Sequence, residues 1–404
     1  MPSKRTSLLI IFLTIFINMV GFGVVIPVLP LYAERFGATT WEIGWLFGIF
    51  SLIQFFASPI LGQLSDRFGR RPVLLISTLG TAAGFIIMGI GQTLTMLFVG
   101  RIIDGASGGS IGTAQAYVAD ITAPEDRSRA MGLIGAAFGL GFIFGPAIGG
   151  VTAAHFGYSA PMYVAGALAL INSVLILLIL PESHPKEKRE LTKKREPLFP
   201  ALFQHVEVKP YITVVATYFF MIAGFSIMTA VFALFVFHRY QFDEKSTGYL
   251  FAMIGLIGTI IQGGLIGRLV KKFGESRLAA VGALILMLSL LWMPLTAGVA
   301  AMVLACCGIA IGNSLLSPTL SGIASRSADA EWQGRALGLM QSLGSLARWI
   351  GPVLGGWLLA YDLDGGISIY ARTPFYAAAG FLLLTFILCL RLPVRLVKKP
   401  EPLA

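Results

Sequence analysis

Long apolar runs separated by short charged segments constrain the fold of this chain more than any other feature. Each run is close to the roughly 20 residues that an α-helix needs to cross a bilayer. Hydrophobic residues make up 56% of the chain and charged residues 12%, with a mean hydropathy of +0.81, so we expect an all-α integral membrane protein of twelve transmembrane helices. The runs lie near residues 7–29, 41–63, 72–91, 94–118, 130–153, 158–180, 211–237, 247–267, 277–296, 299–320, 335–360 and 373–392.

A polar stretch divides the runs into two sets of six. It contains HPKEKRELTKKREP, a mixed-charge segment bounded by prolines, which is typical of a linker in water. We therefore predict an N-terminal six-helix bundle at 1–180, a cytoplasmic linker at 181–210 and a C-terminal six-helix bundle at 211–404.

The basic residues indicate how the chain is oriented. The net charge is +10, but the lysines and arginines form short clusters between apolar runs, which favours membrane topology over nucleic-acid binding. Most of them fall in the two tails and in alternate loops, while the other loops hold only Arg35, Arg239, Lys245 and Arg372. By the positive-inside rule we expect a multi-pass protein of the cell membrane with both termini in the cytoplasm.

Several kinds of chemistry have no pattern to support them. Cys306, Cys307 and Cys389 lie within apolar runs without metal-ligand spacing, and no Walker-type GxxxxGK[ST] occurs. We expect no enzyme, no metal and no cofactor apart from a proton as coupling ion. The expected partners are a small-molecule substrate and the lipid bilayer, with no nucleic acid, and the expected state is a monomer.

The two sets of spans repeat each other at a shift of about 206 residues. Three matches in register are too many for coincidence, so we predict two parallel halves around a central cavity, as in secondary transporters that work by alternating access. The matching pairs are GQLSDRFG (62–69) with GRLVKKFG (267–274), EDRSRAMGL (125–133) with EWQGRALGL (331–339), and GPAIGG (145–150) with GPVLGG (351–356).

Three segments carry a family resemblance. GQLSDRFGRR (62–71), RIIDGASGG (101–109) and GLGFIFGPAIGG (139–150) together resemble the drug/proton antiporters of the major facilitator superfamily, nearest the tetracycline-exporter branch. The resemblance implies proton-coupled efflux of lipophilic drugs or related small molecules from the cytoplasm.

The first of these segments is a ten-residue charged stretch that we interpret as a short, rigid loop at the membrane surface. In the resembling family this loop is a conformational latch. The resemblance implies that Asp66 packs against the start of the eleventh helix and pairs with basic residues of the fourth-to-fifth loop, with Arg70 and Arg129 as matching positions. The predicted latch comprises Gly62, Asp66, Arg67, Gly69, Arg70, Arg71 and Arg129.

The third segment matches the antiporter signature of that family, a fifth helix with a Gly-Pro pair. Glycines permit close helix packing, and proline bends a span. The predicted signature residues are Gly141, Gly145, Pro146 and Gly149.

The fourth span contains an embedded ion pair. Arg101 and Asp104 are three residues apart and so share one helical face. There each charge can neutralise the other, which lowers the cost of placing both in the hydrocarbon region. Asp104 is the only carboxylate that we place well inside a span, which makes it a candidate proton carrier with Arg101 as its partner. A static ion pair is an equally weighted alternative.

A second arginine is embedded in the eleventh span. Arg348 follows Arg335 by about thirteen residues, which places it roughly 20 Å deep. It has no charged counterpart in the first half, so we expect it to face the cavity or a carboxylate; bracing by helix carbonyls is the alternative. Asn18, Gln54 and Gln341 complete the candidate cavity set, on spans that line the cavity in the resembling family.

Arg348 suggests an alternative function, a carrier of an anionic amphiphile or metabolite. A channel or a transport-inactive scaffold is a more remote alternative, because two unrelated arginines do not form the charged ring of a pore. In the seventh span, we interpret the aromatic residues as lipid-facing, with a lipophilic binding surface as the alternative: Tyr218, Phe219, Phe220, Phe225, Phe232 and Phe235.

The chain departs from the tetracycline branch at three positions. Those exporters carry acids where this chain has Asn18 in the first span and Gly84 in the third, and they carry a histidine in the eighth span. These departures argue against tetracycline itself as the cargo, and they leave Asp104 as the main proton-carrier candidate.

Overall fold

The computed structural model describes residues 4–122, 127–184, 204–329, 332–366 and 369–392, and these parts are helical apart from turns and one isolated bridge between Val206 and Ala328. The helices of the first half are α1 (Lys4–Glu34), α2 (Thr40–Phe68), α3 (Arg70–Ile90), α4 (Leu94–Ala106), α5 (Ser110–Ile121), α6 (Arg127–Phe156) and α7 (Ser159–Ile179). Those of the second half are α8 (Val208–Tyr240), α9 (Glu244–Ile260), α10 (Ile266–Phe273), α11 (Glu275–Trp292), α12 (Val299–Arg326), α13 (Gln333–Asp364) and α14 (Arg372–Cys389).

Twelve membrane spans account for these helices. Ten spans in the described chain are long and apolar enough to cross a bilayer, one of them the eighth, in which α9 and α10 flank a π-helical turn at Ile261–Leu265. The fourth span is α4 and α5, broken at residues 107–109, and the eleventh is the 32-residue α13. The predicted all-α fold of twelve transmembrane helices is confirmed. The predicted domain limits stay predictions, and residues 185–203 of the predicted linker lie outside the described residues.

The structure corrects the prediction of a ten-residue loop at 62–71. Helix α2 runs to Phe68 and α3 starts at Arg70, so that Gly69 alone connects them. Gly69 has a φ of 107°, a backbone conformation that glycine adopts without steric cost. The helices extend past the apolar runs because polar side chains at a membrane surface do not interrupt helical hydrogen bonding.

Equivalent helices of the two halves, α2 and α9, both begin with a side-chain N-cap. Thr39 and Glu42 form a capping box at the start of α2. At the start of α9, the Asp243 carboxylate accepts a hydrogen bond from the Ser246 amide at 2.8 Å. The hydrogen bond from Ser246 lowers the pKa of Asp243, which lies outside the membrane spans.

The prediction that the aromatic residues of the seventh span face lipid is wrong for three of them. Tyr218, Phe232 and Phe235 of α8 are buried in the core. The ring of Phe235 packs edge-on against Phe375 with centroids 4.9 Å apart, and Phe232 packs against Phe251 at 5.2 Å. These three side chains fill space inside the protein rather than face the bilayer.

The two halves meet at one end of the molecule, which we call the Trp41 end, where α1 ends and α2 begins. A Cβ added at Gly44 of α2 would lie 2.5 Å from the Pro352 carbonyl oxygen of α13. A Cβ at Gly248 of α9 would lie 2.5 Å from the carbonyl oxygen of Pro146 in α6. Backbones this close leave no passage between the helices, so the molecule is shut at the Trp41 end.

Polar contacts reinforce this closure. The Tyr158 hydroxyl, ahead of α7, donates a hydrogen bond to the Glu244 carboxylate of α9. His238 of α8 lies 3.4 Å from the Glu34 carboxylate of α1. Burial, and then the charge of Glu34, raise the pKa of Tyr370, whose ring packs on His238. These contacts join the first half to the second.

The opposite end, which we call the Asp66 end, is open as far as the described residues show. A Cβ added to any of six glycines in α2, α10, α13 and the π turn would meet nothing within 4 Å. The π turn begins close to where α9 leaves α6, and such turns are common at functional positions. The glycines are Gly62, Gly263, Gly264, Gly267, Gly334 and Gly338.

Candidate transport site

The embedded ion pair of α4 is buried between α2 and α3. Arg101 is 1% exposed and Asp104 is 6% exposed, with Arg101 Nη1 lying 3.4 Å from Asp104 Oδ2. The guanidinium Nε also donates to the Leu46 carbonyl oxygen at 3.1 Å, and the guanidinium carbon lies 4.3 Å from the centre of the Phe50 ring. Helix α2 therefore holds the arginine that neutralises Asp104.

One donor of this pair remains unsatisfied. Arg101 Nη2 is buried and has no hydrogen-bond partner among the described residues. Buried polar atoms are almost always paired, so each exception asks for an explanation in structure or in function. An ion pair that served only to stabilise the half would be expected to use this donor.

Small residues bring α3 and α2 against the fourth span. A Cβ on Gly84 would lie 2.7 Å from the Gly100 carbonyl oxygen and 3.1 Å from the Asp104 Cβ. An acidic side chain at Gly84, as in the tetracycline branch, has no room here. Similarly, a Cβ on Gly105 would lie 2.6 Å from the carbonyl oxygen of Phe50. The small residues of RIIDGASGG thus serve close packing.

Two of the predicted cavity residues form hydrogen bonds with residues at the break in the fourth span. Asn18 of α1 donates to the Ser110 hydroxyl at 3.2 Å. Gln54 of α2 donates to the Gly108 carbonyl oxygen at 3.2 Å. Both side chains are partly buried, and both satisfy polar groups that the helix break exposes.

The other two cavity candidates lie on one stripe of α13. Gln341, Ser345 and Arg348 follow the i, i+4, i+7 spacing that places residues on one helical face. To one side of this stripe, Gly344 and Gly351 pack on α8; to the other, α13 packs on α2. The stripe faces the space between the two contacts, which is the central cavity.

Tyr218 of α8 is a site residue whose role the sequence did not reveal. Its hydroxyl donates to Gln341 Oε1 at 3.0 Å, and its ring lies against Gly344, where a Cβ would come within 2.7 Å. The only available signal was the aromatic character of the seventh span, which does not distinguish a packing residue from a positioning one.

The antiporter-signature residues join three helices. Cβ atoms on Gly141, Gly145 and Gly149 would collide with α1 within 3 Å, at Met19, Gly23 and Val24, so these glycines hold α6 on α1. Pro146 packs across the half boundary on Gly248. The signature therefore serves both packing within the first half and closure of the Trp41 end.

Arg70 is the hub of the predicted latch residues. Its Nη1 lies 2.5 Å from Asp66 Oδ1, and its Nε lies 3.2 Å from Asp120 Oδ2. Its backbone N–H donates to the Glu182 carboxylate at 2.8 Å. Asp120 and Glu182 are partners that sequence reasoning missed, because nothing in their spacing connects them with Arg70. The cluster unites α2, α3, α5 and the end of α7.

The remaining latch residues lie around this hub. Arg71 donates to the Leu177 carbonyl oxygen, and the Arg67 guanidinium lies 5.2 Å from the Phe68 ring centre. A Cβ on Gly62 would meet nothing within 4 Å. Arg129 lies at the start of α6 with its side chain outside the described residues, so its pairing with Asp66 stays a prediction.

The sequence pattern of the Major Facilitator Superfamily matches residues 11–352. The chain belongs to this superfamily. Multidrug resistance protein 2 of Bacillus subtilis is 32% identical over 89% of this chain and 90% of its own length. The class H tetracycline resistance protein of Pasteurella multocida is 31% identical over 88% and 90% of the two chains.

Solved structures agree with this assignment. The human organic anion transporter MFSD10 superposes with a TM-score of 0.72 at 26% identity, covering 96% of this chain and 100% of that one. A bacterial homologue of the human lysosomal transporter Spinster, inward-facing and unoccupied, gives 0.82 at 15% identity over 97% and 98%, which supports the fold alone.

This superfamily member is therefore a multi-pass membrane protein and a secondary transporter of small molecules that works by alternating access, and it is not an enzyme. The resemblance identified from the sequence motifs is confirmed. The geometry adds two sites, a buried ion pair in the first half and a partly open polar stripe in the second.

Proposed function

We propose that this transporter exports lipophilic small molecules from the cytoplasm across the cell membrane as a monomer, in exchange for protons. The observation that carries this proposal is a cavity shut at the Trp41 end and open at the Asp66 end, in a chain related to multidrug and tetracycline resistance proteins. Such a cavity loads cargo from the side that the Asp66 end faces.

The distribution of charge supports a cytoplasmic Asp66 end with both termini on the same side. Arg67, Arg70 and Arg71 lie there, as do Lys271 and Lys272 at the end of α10. Positive residues accumulate in short cytoplasmic loops of membrane proteins. The open cavity then faces the cytoplasm, which suits export.

Asp104 is the proposed proton carrier. It is the one carboxylate in the middle of a span in the described chain, and its partner Arg101 is held by α2 through Leu46 and Phe50. Because α2 also forms the contact with α13 at the Trp41 end, movement of the halves disturbs the support of Arg101. A weakened ion pair favours a neutral Asp104, so movement and protonation are coupled.

The test uses proteoliposomes with a pH-sensitive dye trapped inside and a panel of lipophilic cations and anionic amphiphiles outside. Wild type is compared with Asp104→Asn and with Asp364→Asn, a matched change of an exposed carboxylate at the end of α13. We expect at least one compound to evoke proton flux opposite to its own movement, and Asp104→Asn alone to abolish that flux.

Two results would overturn parts of the proposal. If compounds move in wild type without protons, the transporter is a uniporter or uses another ion. If Asp104→Asn retains proton flux, the ion pair with Arg101 is structural and the coupling group lies elsewhere.

A further inference from the structure

We propose that the cargo carries an acidic group and that Arg348 binds it, so that the substrate class is organic anions with an apolar body. The proposal rests on the transport function above and specifies its substrate. The observations that carry it are a cationic donor and an amide donor on one stripe of α13, and aromatic side chains at the equivalent place in the first half.

Arg348 carries a charge that the protein does not neutralise. It lies at the middle of the 32-residue α13, where a charge is costly unless it is paired or hydrated. Its guanidinium Nη2 donates to the Ser345 hydroxyl at 2.9 Å, and it makes no ion pair with a described carboxylate. A neutral hydroxyl satisfies one donor out of five and leaves the charge uncompensated.

Arg101 shows what a neutralised arginine looks like in this molecule. It is 1% exposed, paired with Asp104, hydrogen-bonded to Leu46 and stacked on Phe50. Arg348 is only partly buried, and among the described residues its guanidinium has neither an ion pair nor a ring contact, only the hydrogen bond to Ser345. Its side chain is therefore available to a ligand that binds reversibly.

A second donor lies on the same stripe of α13. Gln341 lies two turns before Arg348 on the same stripe, and it is exposed. Because the Tyr218 hydroxyl donates to Gln341 Oε1, the amide nitrogen is the end left to donate. A carboxylate or sulfonate between the two side chains would accept hydrogen bonds from both.

The first half offers apolar surface at the equivalent place. The position equivalent to Arg348 in α6 is Phe142, whose ring lies 5.9 Å from that of Phe22 on α1. Phe22 in turn lies 6.2 Å from Phe50. Asn18, one turn before Phe22, is already bonded to Ser110. An amphipathic anion matches this division, with its head on α13 and its body against Phe142 and Phe22.

An anionic lipid headgroup has the same acceptor chemistry as an anionic cargo. Since Arg348 is at mid-span rather than at a helix end, a headgroup in its own leaflet does not reach it without leaving the interface. We therefore assign the site to cargo, and the experiment separates the two sources.

The experiment measures binding and transport on the purified full chain. The probes are radiolabelled arylcarboxylates and arylsulfonates of two or three rings, each beside its neutral primary amide or sulfonamide. The variants are Arg348→Gln, which removes the charge, and Arg348→Lys, which keeps it. Binding is measured in detergent by scintillation proximity, and flux in vesicles of phosphatidylcholine alone or with phosphatidylglycerol.

We expect wild type to bind at least one acid about tenfold or more tightly than its amide. Arg348→Gln should remove that preference, while Arg348→Lys restores part of it and all three proteins elute as the same folded species. Vesicle composition should not change the preference. If no acid in the panel is preferred over its amide, or if Arg348→Gln keeps the preference, the proposal is overturned.

Two further outcomes separate this proposal from others. A preference that disappears when phosphatidylglycerol is present would assign Arg348 to lipid and overturn the cargo site. Proton flux evoked only by neutral or cationic compounds would leave the antiport proposal standing and reject anion recognition. Acid binding without proton flux would support anion recognition and reject the proton-coupled mechanism.

Discussion

Helices α6 and α13 occupy equivalent places in the two halves and share the sequence GP-x-x-GG, yet they present different surfaces to the cavity. Gly150 of α6 closes on the Glu244 carbonyl oxygen of α9, just as Gly356 of α13 closes on that of Thr40 in α2. One turn before the proline, α6 has Phe142 where α13 has Arg348.

The comparison shows at which positions the conformational change restricts residue identity in both halves, and at which positions residues can differ to suit the cargo. Helix crossings that must open and close need small residues at the contact, so both halves keep them. Side chains that face only the cavity have no such restriction, and there the halves diverge. Of the two embedded arginines, Arg348 belongs to this divergent set, whereas Arg101 is buried and neutralised within its own half.

The largest expected effect is on the free energy of unfolding, which should respond very differently to replacement of the two arginines. Arg101→Leu leaves Asp104 buried without a counter-charge, which costs about 3–5 kcal/mol in the free energy of unfolding. Arg348→Leu breaks no ion pair and should cost less than about 1 kcal/mol. Unfolding in mixed micelles measures both, and the double variant Arg101→Leu/Asp104→Leu should recover part of the loss. Equal losses for the two single variants would break the comparison.

The next prediction tests whether the two crossings are equivalent. Valine at Gly44 or at Gly248 places side-chain atoms against a carbonyl oxygen that a Cβ alone would approach to 2.5 Å. Either change should prevent closure of the Trp41 end and lower substrate-evoked proton flux about tenfold or more. Gly380→Val, where a Cβ meets nothing within 4 Å, is the matched control. Full flux in only one of the two variants would show that the crossings have different roles.

A smaller effect is expected at Tyr218. Tyr218→Phe keeps the ring against Gly344 but removes the hydrogen bond to Gln341, which is worth about 1 kcal/mol or roughly fivefold in affinity for an acidic probe. Tyr211→Phe loses a hydrogen bond to the Ala336 carbonyl oxygen away from the stripe and should not change affinity. An unchanged affinity in Tyr218→Phe would remove Gln341 from the anion site.

The smallest effect concerns the helix caps. Thr39→Ala and Asp243→Ala remove equivalent caps and should each lower the free energy of unfolding by about 0.5–1 kcal/mol at neutral pH. Because the folded-state pKa of Asp243 is lowered, its contribution is complete above its ordinary pKa of about 4 and is lost as pH falls through the folded value. Thermal unfolding against pH checks both; a pH-independent effect of Asp243→Ala would contradict the ionised cap.

The sequence was sufficient for the membrane class, the number of spans and the internal repeat. These follow from the length and polarity of runs, which a bilayer restricts more tightly than water does. It did not reveal the single-residue turn at Gly69, the break at residues 107–109 or the π turn at Ile261–Leu265. Such local departures depend on packing and not on the average polarity of a window.

For the candidate site, the sequence determined which residues are unusual in a membrane span: Arg101, Asp104 and Arg348 stand out because charge in hydrocarbon is costly. Only the tertiary structure decided what each one does. Arg101 is neutralised because α2 and Asp104 surround it, whereas Arg348 lies on a stripe between two helix contacts. Neutralisation depends on which helices meet, and helix contacts between distant segments are not encoded in any local pattern.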